Sequence, residues 1–271
     1  MLALLRNWLR RRRLEQTRIP ASTWRAAMAA LPLADRLNPT ERDRLRDLAT
    51  LFLHEKALEP AGGLEPTPEM GPCIAAQACL PILNLGLDYY RGWSSVILYP
   101  EGFLARHEYT DPNGLVHSGH RPLIGEAWER GPVILSWADV AASAAEPGHN
   151  VVIHEMAHKL DMLTGEVNGL PPLHRNMAIQ EWSRVFNDAY QRLCREVDRG
   201  LPTLLDPYAT DSPGEFFAVI SEAFFTAPDR VLAGYPEVYR QLQAFYRQDP
   251  LARQPLNEPL PAASDLPGPA P

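Results

Sequence analysis

Two histidines four residues apart, with a glutamate beside the first, are the side chains of this sequence best placed to do chemistry. They lie in Asn150-Val151-Val152-Ile153-His154-Glu155-Met156-Ala157-His158-Lys159-Leu160-Asp161, an HExxH pattern. On a helix, residues i and i+4 share a face, so both imidazoles can donate nitrogen to one Zn²⁺. Glu155 is rotated away from that pair. It can reach a metal-activated water without ligating the ion, which is the position of a general base and proton shuttle. Asn150 suits the N-cap, and Gly165 can stop the helix after Thr164. Ile153, Met156, Ala157 and Leu160 supply the opposite, packing side. The plainer alternative is an amphipathic helix carrying two structural histidines.

A catalytic zinc site needs a third protein ligand and an open position. The metzincin arrangement is excluded, because Asp161 and Thr164 stand where it requires glycine and histidine. The third ligand must come from elsewhere, and Glu166, Glu181, Glu215 and Glu222 are the downstream candidates. Glu166 falls in the turn just after the motif helix, and Glu181 opens a long polar helix. Glu215 and Glu222 lie seven residues apart on one face of an apolar helix, within DPYATDSPGEFFAVISEAFF (Asp206–Phe225). Buried glutamates seldom occur without a partner or a metal. Ser212-Pro213-Gly214-Glu215 is also a capping box, so on spacing alone ligand, cap and salt-bridge readings of Glu215 all stand. Glu222 reads as a partner of a ligand or of a structural ion pair rather than as a fourth ligand. Asp161 is placed either to accept an imidazole N–H or to stand as a surface carboxylate. His117, His120 and His149 have no ligand spacing and read as loop or surface residues, with His149 near the start of the motif helix.

The elements that must hold these groups are mainly helical. Asn38-Pro39-Thr40-Glu41 is a capping box with proline at the first helical position, and Leu45, Leu48 and Phe52 follow at helical spacing. Cys73–Leu87 reads as a helix interrupted near Ala78, and Ser95–Tyr99 and Val133–Trp137 as short buried strands with irregular hairpins between them. Helices are expected over about 151–163, 180–197, 213–225 and 236–246. Helices flanking a small sheet make an α+β domain.

Composition agrees with one folded domain. The chain has 271 residues, 45% of them apolar, with net charge −7. An acidic chain argues against direct nucleic-acid binding. Three cysteines without clip spacing read as free thiols in a reducing cytoplasm. No run reaches the length of a membrane span, so no stable membrane association is expected. Residues 1–18, with Arg10–Arg13 consecutive, read as a basic tail, with a lipid- or partner-touching amphipathic helix as the alternative. Residues 19–250 form the expected domain, and the proline-rich 251–271 a disordered tail.

Taken together, IHEMAHKLDMLTG (Ile153–Gly165), Asp206–Phe225 and FYRQDP (Phe245–Pro250) resemble the Mlc titration factor A family of bacterial zinc metallopeptidases, peptidase family M90. LPILNLGLDYYRGWSSVILYP (Leu80–Pro100), GLVHSGHRP and GPVILSW resemble it as well. The likeness runs from about Ile19 to Pro250, with the arginine-rich start and proline-rich end outside it. It implies a zincin-like (gluzincin) fold, mostly helical with a small sheet, related to the anthrax lethal factor catalytic domain. It places the third ligand of one zinc ion per chain on Glu215, beside His154 and His158, and a tyrosine near the metal on Tyr208. The implied activity is aminopeptidase-like hydrolysis of a peptide or protein substrate, with Glu155 as base and Tyr208 at the oxyanion. The implied alternative is a non-catalytic titration factor. Such a factor binds an Mlc-like transcriptional repressor and relieves repression of the sugar phosphotransferase system.

Overall fold

The motif helix sits at the centre of the fold because its sequence leaves it almost no solvent face. Six of its eleven side chains are apolar, and every residue of Val151–Asp161 except His154 is buried. The computed structural model describes residues 2–29, 31, 36–101, 103–110, 116–123, 125–127, 131–143 and 147–253. In chain order the helices are α1 (Leu2–Thr17), α2 (Ala21–Ala29), α3 (Pro39–Glu55), α4 (Met70–Cys79), α5 (Trp137–Ala142), α6 (Val151–Asp161), α7 (Ile179–Asp198), α8 (Pro213–Thr226), α9 (Pro228–Gly234) and α10 (Pro236–Tyr246). The strands are β1 (Ala57–Pro60), β2 (Ser95–Tyr99), β3 (Phe103–Thr110), β4 (Val116–Leu123), β5 (Gly125–Ala127) and β6 (Val133–Ser136).

A four-stranded sheet runs in the order β1-β2-β6-β5. The first three strands are parallel, and β5 returns antiparallel to β6. Val96 and Leu98 of β2 pair with Val133 and Leu135 of β6, and all four are buried. Alternation of apolar residues at period two presents one face of the sheet to the helices. α6 packs against this sheet, α4 and α8. α4 can be buried throughout because its residues are small or apolar, Ala75, Ala76 and Ala78 among them. It ends at Cys79 because Pro81 has no N–H to continue the ladder.

α7, α8 and α10 meet through aromatic rings. Trp182 stacks on Phe186 at 4.1 Å between centroids, and Phe216, Phe217 and Phe245 close around them. Burying each such ring stabilises the fold by about 1.5–3 kcal/mol, so the wall behind α8 is stiff.

The α+β, mostly helical expectation is met, and β2 has the expected bounds. The hairpin expected between the two buried strands is present as antiparallel β3–β4, and it carries His117 and His120 opposite Tyr109 and Arg106. The expectations for the two ends of the chain are revised. The basic start is a helix, held by Arg10 bonded to both oxygens of Glu55 at 2.8 and 3.1 Å and by Arg6 bonded to Asp88. At the other end, Leu251–Arg253 makes a 3₁₀ turn, and Arg253 bonds to Glu41 at 2.6 Å. The remainder of the proline-rich tail lies outside the described residues. α2 and α9 are not among the expected helices; both are short, and α9 has no side-chain cap.

Candidate metal centre

α6 and α8 each begin at a side-chain cap, and the caps set the depth at which their functional residues emerge. Asn150 Oδ1 accepts the Ile153 N–H at 2.9 Å. Ser212 Oγ accepts the Glu215 N–H at 3.1 Å, with Pro213 at the first helical position. The reciprocal half of the Ser212 box is not made, because the Glu215 carboxylate turns toward α6. By contrast, Asn38 and Glu41 complete both halves of theirs.

Three side chains converge between the two helices. His154 Nε2 and His158 Nε2 lie 3.1 Å apart. Glu215 Oε2 is 3.1 Å from His154 Nε2, and Glu215 Oε1 is 3.4 Å from His158 Nε2. Among the described residues, this is the group of His, Cys, Asp and Glu side chains whose ligand atoms come together as a metal site requires. Two imidazoles and a carboxylate are a donor set for a divalent transition ion. Glu215 Oε2 is buried with no hydrogen-bond partner despite that close approach, as expected of an atom whose lone pair is directed at an ion. The residues present therefore fit a metal.

The electrostatics also call for a positive charge here. Burial lowers the basicity of His154, but the neighbouring carboxylates of Glu215 and Glu222 raise its pKa well above the usual imidazole value. Burial raises Glu215, yet the two imidazoles hold its carboxyl well below the ordinary carboxylate range. A proton or a cation belongs between these groups.

Glu222 orients the first histidine. Its Oε1 accepts from His154 Nδ1 at 2.6 Å, and its Oε2 accepts the Asn150 N–H at 2.5 Å. A proton held on Nδ1 leaves the Nε2 lone pair facing the centre. Asn150 Nδ2 in turn donates to Gln77 Oε1 of α4 at 2.7 Å. One buried chain of polar contacts thus joins α4, α6 and α8. His149 lies at its edge, 3.4 Å from Glu222 Oε2.

Glu155 is 3% exposed, and its Oε2 has no hydrogen-bond partner. Burial, the largest influence on it, raises its pKa. Tyr208 sits on the 3₁₀ turn Pro207–Thr210, half exposed, with its ring 6.1 Å from that of His154. Burial, then the Glu215 carboxylate, pushes its phenol up, so it stays a protonated donor at neutral pH.

A model of the glucose-regulated metallo-peptidase M90 family matches residues 5–247. The chain belongs to that family. It is similar to Mlc titration factor A of Yersinia pestis (strain Pestoides F) and of Yersinia pseudotuberculosis serotype O:1b (strain IP 31758). Each is 40% identical over 234 residues, covering 85% of this chain and 86% of the relative. The M90 match starts inside α1, so the arginine-rich segment is part of the family region rather than outside it.

Not every residue singled out in the sequence joins this cluster. Glu181 is exposed and paired with Arg184 at 2.9 Å, and Glu166 is exposed. Asp161 is neither a surface carboxylate nor a partner of His158. It is fully buried, and its Oδ2 accepts the Gly169 N–H at 2.7 Å. Burial pushes its carboxyl up to about 6. That bond ties the loop after α6 across the start of α8, and two glycines not singled out above make the crossing possible. A Cβ on Gly169, whose φ is +78°, would lie 2.7 Å from Pro213 O, and one on Gly214 would lie 2.6 Å from Val167 Cγ1. The crossing clamps the turn that carries Glu215. Lys159 was also passed over. It is buried, donates to Gly131 O at 3.0 Å, and so links the motif helix to the segment two residues before β6.

Proposed function

We propose that this chain is a zinc-dependent, aminopeptidase-like peptidase with a zincin-like (gluzincin) fold. His154, His158 and Glu215 hold one Zn²⁺ per chain. The observation that carries the reading is the spacing of the three ligand groups. Tetrahedral zinc with bonds of about 2.0–2.2 Å places its ligand atoms about 3.3–3.6 Å apart. Here the two imidazole nitrogens are 3.1 Å apart, Glu215 brings one oxygen to 3.1 Å from His154 Nε2 and the other to 3.4 Å from His158 Nε2, and one ligand atom from each residue lies within 4.8 Å of the others.

When bound, zinc supplies a Lewis acid and lowers the pKa of water toward about 7. The remaining chemistry belongs to the chain. Glu155, through its unpartnered Oε2, takes a proton from the attacking water and returns it to the leaving amine nitrogen. Tyr208 donates its phenolic hydrogen to the developing oxyanion. Glu222 keeps His154 in the tautomer that presents Nε2. The three free cysteines accord with a cytoplasmic place of action.

The test is hydrolysis of chromogenic aminoacyl substrates with a free amino group. Activity should require zinc, vanish on chelation, and be lost in Glu155→Gln with zinc retained. Wild-type turnover by Glu155→Gln would overturn the assignment.

The name of the similar proteins supports a second reading, in which this chain binds an Mlc-like repressor stoichiometrically and without cleavage. Capture of such a repressor by Glu155→Gln at undiminished stoichiometry would favour it over hydrolysis.

A further inference from the structure

α1 has its polarity reversed. A surface helix ordinarily turns its apolar stripe to the core and its charges to water. Here Arg6, Arg10 and Leu14, one turn apart each, face the body. Arg10 bonds to Glu55 and, at 2.9 Å, to Asp88, and Arg6 also bonds to Asp88. Leu14 packs on the core. The opposite face carries Leu5, Trp8 and Leu9, which are 54%, 51% and 46% exposed. Among the described residues no other α-helix exposes more than one large apolar side chain. Arg11, Arg12 and Arg13 are exposed around that stripe, and the Arg12 guanidinium lies 5.2 Å from the Trp8 ring.

The charge distribution narrows what this face can meet. α1 carries five arginines and one glutamate, so a helix of net charge +4 is mounted on a remainder of net charge −11. A second copy of the chain would set Arg11–Arg13 against their own kind. A stripe of tryptophan and leucine edged by arginines matches an anionic lipid surface. The ring and methyl groups enter the headgroup boundary, and the guanidinium groups meet phosphates. The acidic remainder is repelled by the same surface, so contact is confined to the helix.

We propose that α1 is a peripheral docking helix for anionic lipid bilayers, with Leu5, Trp8 and Leu9 as the inserting face and Arg11–Arg13 as the headgroup contacts. Docking is reversible and weakened by salt, since the arginine contacts are Coulombic. Among the described residues no helix is long and apolar enough to cross a membrane. The proposal is independent of the metal centre.

The full-length protein is sedimented with vesicles of phosphatidylcholine containing about a third phosphatidylglycerol, and with phosphatidylcholine alone. Each exposed arginine contributes about a 5-fold gain in partitioning. Arg11→Gln/Arg12→Gln/Arg13→Gln should therefore lose about 100-fold. Trp8→Gln should also lose binding, and both variants should keep the wild-type thermal transition, since the substituted side chains are exposed. Binding to the anionic vesicles only, abolished by both variants and by high salt, supports the proposal. It is overturned by absence of binding to anionic vesicles, or by binding that neither variant reduces. It is also overturned by concentration-dependent dimerisation that Trp8→Gln abolishes, which would make a second copy the occupant.

Discussion

Replacing Glu222 by glutamine tests how the metal centre is organised without touching a ligand. The wild-type carboxylate accepts from His154 Nδ1 at 2.6 Å with one oxygen and from the Asn150 N–H at 2.5 Å with the other. A glutamine has one acceptor oxygen and one donor nitrogen at the same two places. If the oxygen keeps Asn150, the amide N–H₂ faces His154 Nδ1 and drives the proton to Nε2, the atom that must be bare to ligate. If the oxygen keeps His154, a buried backbone N–H loses its acceptor, at a cost of about 1–3 kcal/mol. Outer partners of metal-binding histidines are worth about 10–100-fold in affinity, or about 1.4–2.8 kcal/mol. Glu222→Gln should therefore weaken zinc binding by that factor and leave stoichiometry at saturation unchanged. Competition against a chromophoric chelator measures the constant, and a thermal melt checks the fold. A zinc affinity within twofold of wild type in a folded Glu222→Gln protein would refute the orienting role. Complete loss of binding would instead make Glu222 a ligand.

Other consequences are equally direct. Glu155→Gln, nearly isosteric at a buried atom without a partner, should keep zinc and fold while peptide hydrolysis falls by about 10²–10⁴; steady-state kinetics on metal-loaded protein reads this. The folded-state pKa of Asp161, at about 6, stands above the ordinary 3.8. Its contribution to stability is thus complete below about pH 4 and is lost as pH rises through about 6. In metal-stripped protein, Asp161→Asn should flatten that pH dependence and raise stability at pH 7 by about 2–3 kcal/mol; a lower unfolding midpoint than wild type at pH 7 would contradict it. Gly169→Ala meets both a positive φ and the Pro213 carbonyl. It should destabilise by more than about 1 kcal/mol and loosen zinc through the shifted Glu215 turn, as denaturant melts and the chelator assay would show.

The local signals were strong where a residue's role depends on near neighbours. The Asn150 cap, the shared face of His154 and His158, the apolar helix bearing Glu215 and Glu222, and strand β2 could all be read from spacing and residue type. What escaped depends on distant chain segments. Whether Asp161 is a surface or a buried carboxylate turns on Gly169 coming back across α8, which no helical periodicity records. Arg6 and Arg10 look like part of a basic tail until Asp88 and Glu55, far along the chain, are placed beneath them. The choice between ligand and cap for Glu215 is settled in neither direction by Ser212-Pro213-Gly214-Glu215, since the backbone N–H can be capped while the side chain goes elsewhere. Gly169 and Gly214 carried no signal, because their importance lies in what a Cβ would strike.

The most direct test of the account is zinc content per chain, by elemental mass spectrometry, on wild type and Glu215→Ala purified without a metal-affinity column. The account predicts about one zinc ion per wild-type chain and a large deficit in Glu215→Ala at equal free zinc. No zinc in the wild type after incubation with excess Zn²⁺ would contradict it. So would a full equivalent retained by Glu215→Ala.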